Sequence, residues 1–314
     1  MSARKSWPRA LIAFGAAVFA AGCARAPAAA TASAWPNVLH FVVSISQENP
    51  ETEGSRLEPV RAYLEQRMGI PVEVRGTTGY GVAIEAFRAK KIEAATLGPF
   101  AYVIGSKRAG IEAIATRGTS AGDLRQYSGT LCVRADSPLH SMEEVVRNAR
   151  QLTVSFVDPA STSGNLVQRV YLESVGIRPE RDFKKVVYST QHPTSALTLL
   201  AGKVDLAAVN QQTLDALVQT GRIHAGEIRP LWVSPKIPES PVAVRADLPS
   251  QLKTKLQEAL LAMASEAPGA YLNMSARIYF ERYRGTRFVA ATDALYAPIR
   301  ALARSAEQLG LVEQ

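Results

Sequence analysis

The groups best suited to hold an anion in this 314-residue chain lie in Asp158-Pro159-Ala160-Ser161-Thr162-Ser163-Gly164-Asn165. The segment follows an apolar run that reads as a strand and opens a run that reads as a helix. A helix N-terminus carries unpaired backbone N–H groups and a partial positive charge. Three adjacent hydroxyls add further donors, a combination suited to a tetrahedral anion. A single Ser or Thr there would be a routine cap, and three exceed what capping needs. Spacing alone leaves capping and anion binding both open. A second strand-to-helix junction is Gln191-His192-Pro193-Thr194-Ser195-Ala196-Leu197. His192 at that helix start could donate a hydrogen bond to an anion, or be a cap or surface residue. Ser161 or Ser163, His192 and an Asp would be the parts of a hydrolase. The Gly-x-Ser-x-Gly elbow is missing, however, so an enzyme is the weakest reading. Only four histidines exist, at positions 40, 140, 192 and 224, too scattered for a metal-ligand cluster. No metal and no cofactor are expected.

These junctions need a frame to face one another. Short apolar runs alternate with amphipathic stretches along the chain, the α/β signature, and no 20–50-residue repeat is evident. Strands are expected at 38–45, 71–75, 94–98, 111–116, 127–134, 152–157, 185–188, 204–209 and 228–233. Helices are expected at 56–68, 81–90, from Pro99, after the capping box Ser141/Glu144, and at 163–175, 193–201, 211–220, 249–265 and 293–309. Asp205, in the turn before a buried strand, reads as structural. The central block, 135–235, looks inserted into an outer one, 36–134 plus 236–314. Two crossings would join them, near 130–135 and 234–242, giving two lobes and a cleft. Small ligands bind in such α/β proteins beyond the carboxyl ends of the strands.

The N-terminus reads as an export address. Arg4, Lys5 and Arg9 precede the apolar stretch Leu11–Ala21, which is too short to span a bilayer. Ala20-Ala21-Gly22-Cys23 resembles a bacterial lipobox, which implies a signal segment 1–22 and lipidation of Cys23. An ordinary secretory signal with an incidental cysteine is the alternative. Residues 23–35 read as an Ala/Pro/Ser/Thr-rich tether, so the chain should face the periplasm on a lipid anchor. With Cys23 lipidated, Cys132 has no disulfide partner. It reads as a buried structural thiol, with a soft ligand for another oxyanion such as arsenite as the alternative. The formal charge is +8, and three of those positive charges lie in the first 22 residues, which hold no acid. The remaining +5 could draw in anions. No basic block with interleaved aromatics is present, so no nucleic-acid partner is expected.

The pieces also form an ordered series. Gly79-Tyr80, Gly98-Pro99-Phe100-Ala101-Tyr102, Tyr127 through Asp136-Ser137-Pro138, Asp158–Gly164, His192 with Ala196-Leu197, Gly202–Val209 and Ser234-Pro235-Lys236-Ile237-Pro238 follow one another along the chain. In order and spacing, across residues 36 to 300, this resembles the phosphate/phosphite/phosphonate-binding proteins of ABC importers. The resemblance implies a two-lobed α/β periplasmic-binding-protein fold of type II, with two hinge crossings and a central cleft. It implies capture of a small oxyanion for a permease in the inner membrane, by a protein expected to act as a monomer. Ser161, Thr162 and Ser163 would cradle the anion, Tyr80 and Tyr127 would donate phenol hydrogen bonds from the opposite wall, and His192 would complete the shell. Without the resemblance, both tyrosines read as core residues with satisfied hydroxyls. Relatives that take aminophosphonates carry carboxylates where Gln212 and Ser240 align here, and Glu239 looks out of register. That favours phosphite, phosphate or an alkylphosphonate over 2-aminoethylphosphonate. A protein of this build could instead feed a membrane sensor kinase.

Overall fold

The structure, a computed structural model, describes residues 35–45 and 50–310. The expected signal segment, Cys23 and the tether up to residue 34 lie outside the described residues. The strands in chain order are β1 (Leu39–Ile45), β2 (Val72–Thr77), β3 (Ala94–Thr96), β4 (Ile111–Gly118), β5 (Gln126–Tyr127), β6 (Gly129–Arg134) and β7 (Thr153–Phe156). Then come β8 (Lys185–Tyr188), β9 (Leu206–Asn210), β10 (Ile228–Val233), β11 (Ile237–Pro238), β12 (Pro241–Arg245) and β13 (Arg287–Ala290). They form a six-stranded sheet, β13-β4-β12-β3-β1-β2, a five-stranded sheet, β10-β6-β9-β7-β8, and a two-stranded ribbon, β11-β5. Each large sheet pairs parallel strands at one side, β2-β1-β3 and β8-β7-β9, with antiparallel strands at the other.

Apolar runs rather than alternating patterns mark both sheets because both are covered on both faces. Leu39, Phe41 and Val43 of β1 pack under Leu252, Leu256 and Leu260, while Val42 faces the opposite layer with Phe87, Phe100 and Ile299. In the other sheet Leu131, Val154, Phe156 and Leu206 pack on one side, and Cys132, Ala207 and Val209 on the other. Cys132 is fully buried, with Sγ 3.0 Å from the Thr130 hydroxyl, and burial pushes its thiol up to about 12. It does not line the cleft, so the soft-ligand alternative has no geometry to support it.

The predicted strand 127–134 is broken in two. Tyr127 pairs with Ile237 in the ribbon, while Gly129–Arg134 runs in the five-stranded sheet. The break comes at Ser128, whose carbonyl accepts the Gln211 amide instead of a ladder bond. Residues 129–134 therefore sit with the central block rather than the outer one, and the first crossing lies upstream of the expected 130–135. The second crossing is beside it, since Gly129 and Ser234 exchange hydrogen bonds of 2.9 and 2.8 Å. Strand β12 is not among the expected strands, because it opens on Pro241. Proline at the first residue of a strand sacrifices no ladder donor, and β12 runs between β3 and β4. Ser141 caps the helix Met142–Asn148 by accepting the Glu144 amide at 3.3 Å, as its spacing predicts. Asp205 is structural: its carboxylate accepts the Thr153 amide at 2.7 Å.

Candidate ligand-binding cleft

Five helices begin around one cavity of about 190 Å³. They are Tyr80–Arg88 and Pro99–Ala109 beside the six-stranded sheet, and the helical run from Thr162, His192–Leu200 and Gln211–Gln219 beside the five-stranded one. None of the five carries an acid in its first turn. Helices elsewhere do, including Pro50–Met68 and Met142–Asn148. The positive ends aimed at the cavity are thus left uncompensated by the first-turn side chains. All eight residues singled out from the sequence line this space: Tyr80, Tyr127, Ser161, Thr162, Ser163, His192, Gln212 and Ser240.

The three hydroxyls have three different attachments. Ser161 accepts the Gly164 amide at 3.1 Å and so is the cap. Thr162 accepts the Phe100 amide at 2.8 Å, reaching across to a helix of the other sheet. Ser163 is hydrogen-bonded to the Tyr127 phenol and lies 3.4 Å from His192 Nε2. Ser161 and Thr162 each accept from a backbone N–H, and an accepting hydroxyl keeps its own proton to donate. The helix opens with a π turn, Thr162–Leu166, a feature frequent at functional sites. Glycine is required inside it: a Cβ on Gly164 would stand 2.4 Å from Val157 and 3.0 Å from the His192 ring.

His192 is held as a neutral donor. The Asn210 amide points at Nδ1 from 3.1 Å. A backbone N–H can only donate, so Nδ1 accepts and the proton sits on Nε2, facing Ser163. Burial lowers its basicity to about 3. Burial, and for Tyr80 also the charge of Asp158, raises the phenols of Tyr80 and Tyr127, so both stay protonated donors. Burial likewise lifts Tyr279 to about 12. The wall therefore offers neutral donors, whose desolvation costs far less than that of a buried counter-charge.

Two caps cross the cleft. Gly79 and Gly98, the caps of Tyr80–Arg88 and Pro99–Ala109, have no side chain to accept their helices' first amides. Asp158 accepts the Tyr80 amide and Thr162 accepts that of Phe100. Both acceptors come from the five-stranded half. Thr213 and Tyr279 add a third bridge at 2.8 Å between their hydroxyls.

Several lining residues escaped the sequence reading. Arg117, Glu239, Tyr279 and Tyr283 all face the cavity. Glu239, set aside as out of register, is in the wall, but its carboxylate lies 3.3 Å from Arg282 and 3.7 Å from Arg125. Arg117 was hidden in an apolar strand, where a lone arginine among buried neighbours was the available signal. The tyrosines lie in residues 267–290, whose elements have little periodicity to mark them.

Two sheets, each covered on both faces and joined by two adjacent crossings, with helix starts from both halves around one cavity, define a periplasmic solute-binding protein of type II fold. The chain belongs to the ABC transporter, phosphonate, periplasmic substrate-binding protein family, whose model matches residues 42–296. It is 27% identical over 273 residues to the phosphonates-binding periplasmic protein of Escherichia coli K12, covering 87% of this chain and 78% of that one. It is 26% identical over 304 residues to the phosphate-import protein PhnD of Mycolicibacterium smegmatis, covering 90% and 91%. The crystal structure of a binding-protein component of an ABC phosphonate transporter from Pseudomonas aeruginosa superposes with a TM-score of 0.72. That pair is 28% identical, with 85% of each chain covered. The chain is thus a periplasmic substrate-binding component of the ABC phosphonate-transporter family, a class that works with a membrane permease.

Proposed function

We propose that the cavity selects a small phosphorus oxyanion, phosphite, phosphate or an alkylphosphonate. The observation that carries this reading is the convergence on one space of five helix starts with no acid in their first turns, and of the neutral donors Ser161, Thr162, Ser163, Tyr80, Tyr127 and His192. Ser161, Thr162 and Ser163 cradle the anion, Tyr80 and Tyr127 donate from the other wall, and His192 Nε2–H completes the shell. Hydrogen bonds to a charged group contribute roughly 1.5–3 kcal/mol each. Five or six of them support micromolar or tighter binding after association costs. Gln212 and Ser240 are neutral, and Glu239 is committed to Arg125 and Arg282. The pocket therefore lacks a free carboxylate for an amine, which disfavours 2-aminoethylphosphonate. The block of residues 129–233 closes on the rest as one lobe, hinged at the β5–β11 ribbon. A lipid on Cys23 tethers the protein, as a monomer, to the membrane.

Replacing Ser161 and Thr162 together by alanine tests the cradle. The double variant should bind its anion at least about tenfold more weakly, ~1.4 kcal/mol, in a calorimetric titration, with its circular dichroism unchanged. Unchanged affinity in a folded variant would remove the cradle from the account.

A further inference from the structure

The far wall of the same cavity carries a buried cation that the oxyanion cradle does not use. Arg117 projects from β4 and is 7% exposed. Its guanidinium carbon lies 4.0 Å from the ring centre of Tyr283, 4.4 Å from Tyr271 and 5.1 Å from Phe288. Nη2 donates to the Tyr271 carbonyl at 3.3 Å and to the Ser275 hydroxyl at 2.9 Å. Nη1 is buried and has no hydrogen-bond partner among the described residues. No carboxylate among them pairs with Arg117 either, whereas Glu239 is shared by Arg125 and Arg282. Three guanidiniums thus surround Tyr283, and one carboxylate serves two of them.

A guanidinium buried without a counter-ion is costly, and aromatic faces offset part of that cost. The rings pack around the guanidinium while leaving one donor unused. Across the cavity Gln212 also presents an unpartnered buried atom, Oε1. Arg117's own contacts, Tyr271, Ser275, Tyr283 and Phe288, include none of the groups of the cradle. The cavity of about 190 Å³ compares with about 30 Å³ per water in the liquid, so a bare tetrahedral oxyanion leaves space over. A ligand that fills it would reach from the hydroxyl cradle to Arg117.

We infer that Arg117 forms a second, carboxylate-accepting subsite, and that the ligand class includes phosphonates bearing a carboxylate on a short alkyl arm. This rests on the proposed cradle for the phosphonate end. Guanidinium matches a carboxylate in charge and in planar geometry. A free Nη1–H supplies the missing hydrogen bond. The phosphonate stays with neutral donors, so the two anionic ends are read by different chemistry.

The test compares 2-carboxyethylphosphonate with propylphosphonate, equal in carbon count, by calorimetric titration of the unaltered protein. 2-Aminoethylphosphonate, phosphite and phosphate are titrated alongside. The carboxylate is expected to improve affinity by about tenfold or more, ~1.4 kcal/mol. In Arg117→Gln that advantage, the ratio of the two affinities on the same variant, should shrink to about threefold or less. Propylphosphonate binding with no gain from the carboxylate would overturn the subsite and leave the cradle standing. So would tighter binding of the amine than of either partner, since Glu239 would then be the group that reads the arm. Failure of every phosphorus ligand would remove the cradle reading, and the subsite with it. Should Arg117→Gln not fold, the ligand pair on the unaltered protein still decides.

Discussion

His192 shows how one side chain is set for its task by its neighbours. The Asn210 amide occupies Nδ1 and burial keeps the ring neutral, so Nε2 can only donate. This has a consequence for stability. The folded ring titrates at about 3, against an ordinary value near 6.5. The unfolded chain therefore binds the extra proton first as pH falls. Stability from this group is complete above about pH 6.5 and declines as pH drops toward 3. By pH 5 the decline should be on the order of 2 kcal/mol, at 1.36 kcal/mol per unit. Denaturant midpoints measured from pH 7.5 to 4.5 should show the fall in the unaltered protein and a smaller one in His192→Gln. Equal slopes would mean that the ring is not buried neutral. The sequence places His192 at a helix start, where cap, surface and anion-binding roles stay open, and the structure puts it in the cavity wall. Its tautomer was beyond sequence reading, because the residue that dictates it, Asn210, is 18 positions away. Arg117 and Glu239 were missed for a similar reason. Each is a charged residue in an apolar context, and its meaning lies in partners such as Tyr283 and Arg282 that only the fold brings near.

At the scale of elements, period and capping signals marked most helices and strands to within a few residues. Both ends of the helix Tyr80–Arg88 and the start of Pro99–Ala109 follow from local composition. Failures fall where a tertiary partner overrides the local pattern. Residues 127–134 look like one strand because all but Ser128, Gly129 and Arg134 are apolar or β-favouring, yet the chain changes sheets at Ser128. Residues 267–290 hold short helices and the edge strand β13, whose pairing with β4 is invisible in composition. Cross-cleft capping is the element-level device that matters most. Glycine caps leave two helix starts without acceptors, and Asp158 and Thr162 supply them from the other half. Asp158 holds no place among the proposed anion donors. Asp158→Ala should nevertheless weaken ligand binding by several-fold, because a lost N-terminal cap costs about 1 kcal/mol. That cost falls on the closed arrangement. Calorimetry together with small-angle scattering checks this, the variant being expected to need more ligand to reach the compact form. An unchanged titration would mean that the cross-cleft cap contributes nothing to closure.

At the scale of the whole molecule, two sheets bury most of their cores separately, share one apolar layer and meet over a polar cavity. Each half has apolar layers on both faces of its sheet, and one layer is shared, since Ala160, Leu166 and Val167 of the five-stranded half are buried with Phe87, Phe100 and Ile299 of the other. The polar contacts across the cleft are hydrogen bonds, which form and break at modest net cost. Such a build suits a protein that captures a ligand by closing and hands it on by opening. The most direct test of the central claim is calorimetric titration of the protein, truncated after the tether, with phosphite, phosphate and methylphosphonate. The account predicts one-to-one binding of at least one of the three at micromolar affinity or tighter. No heat and no shift in thermal midpoint with any of them would contradict it.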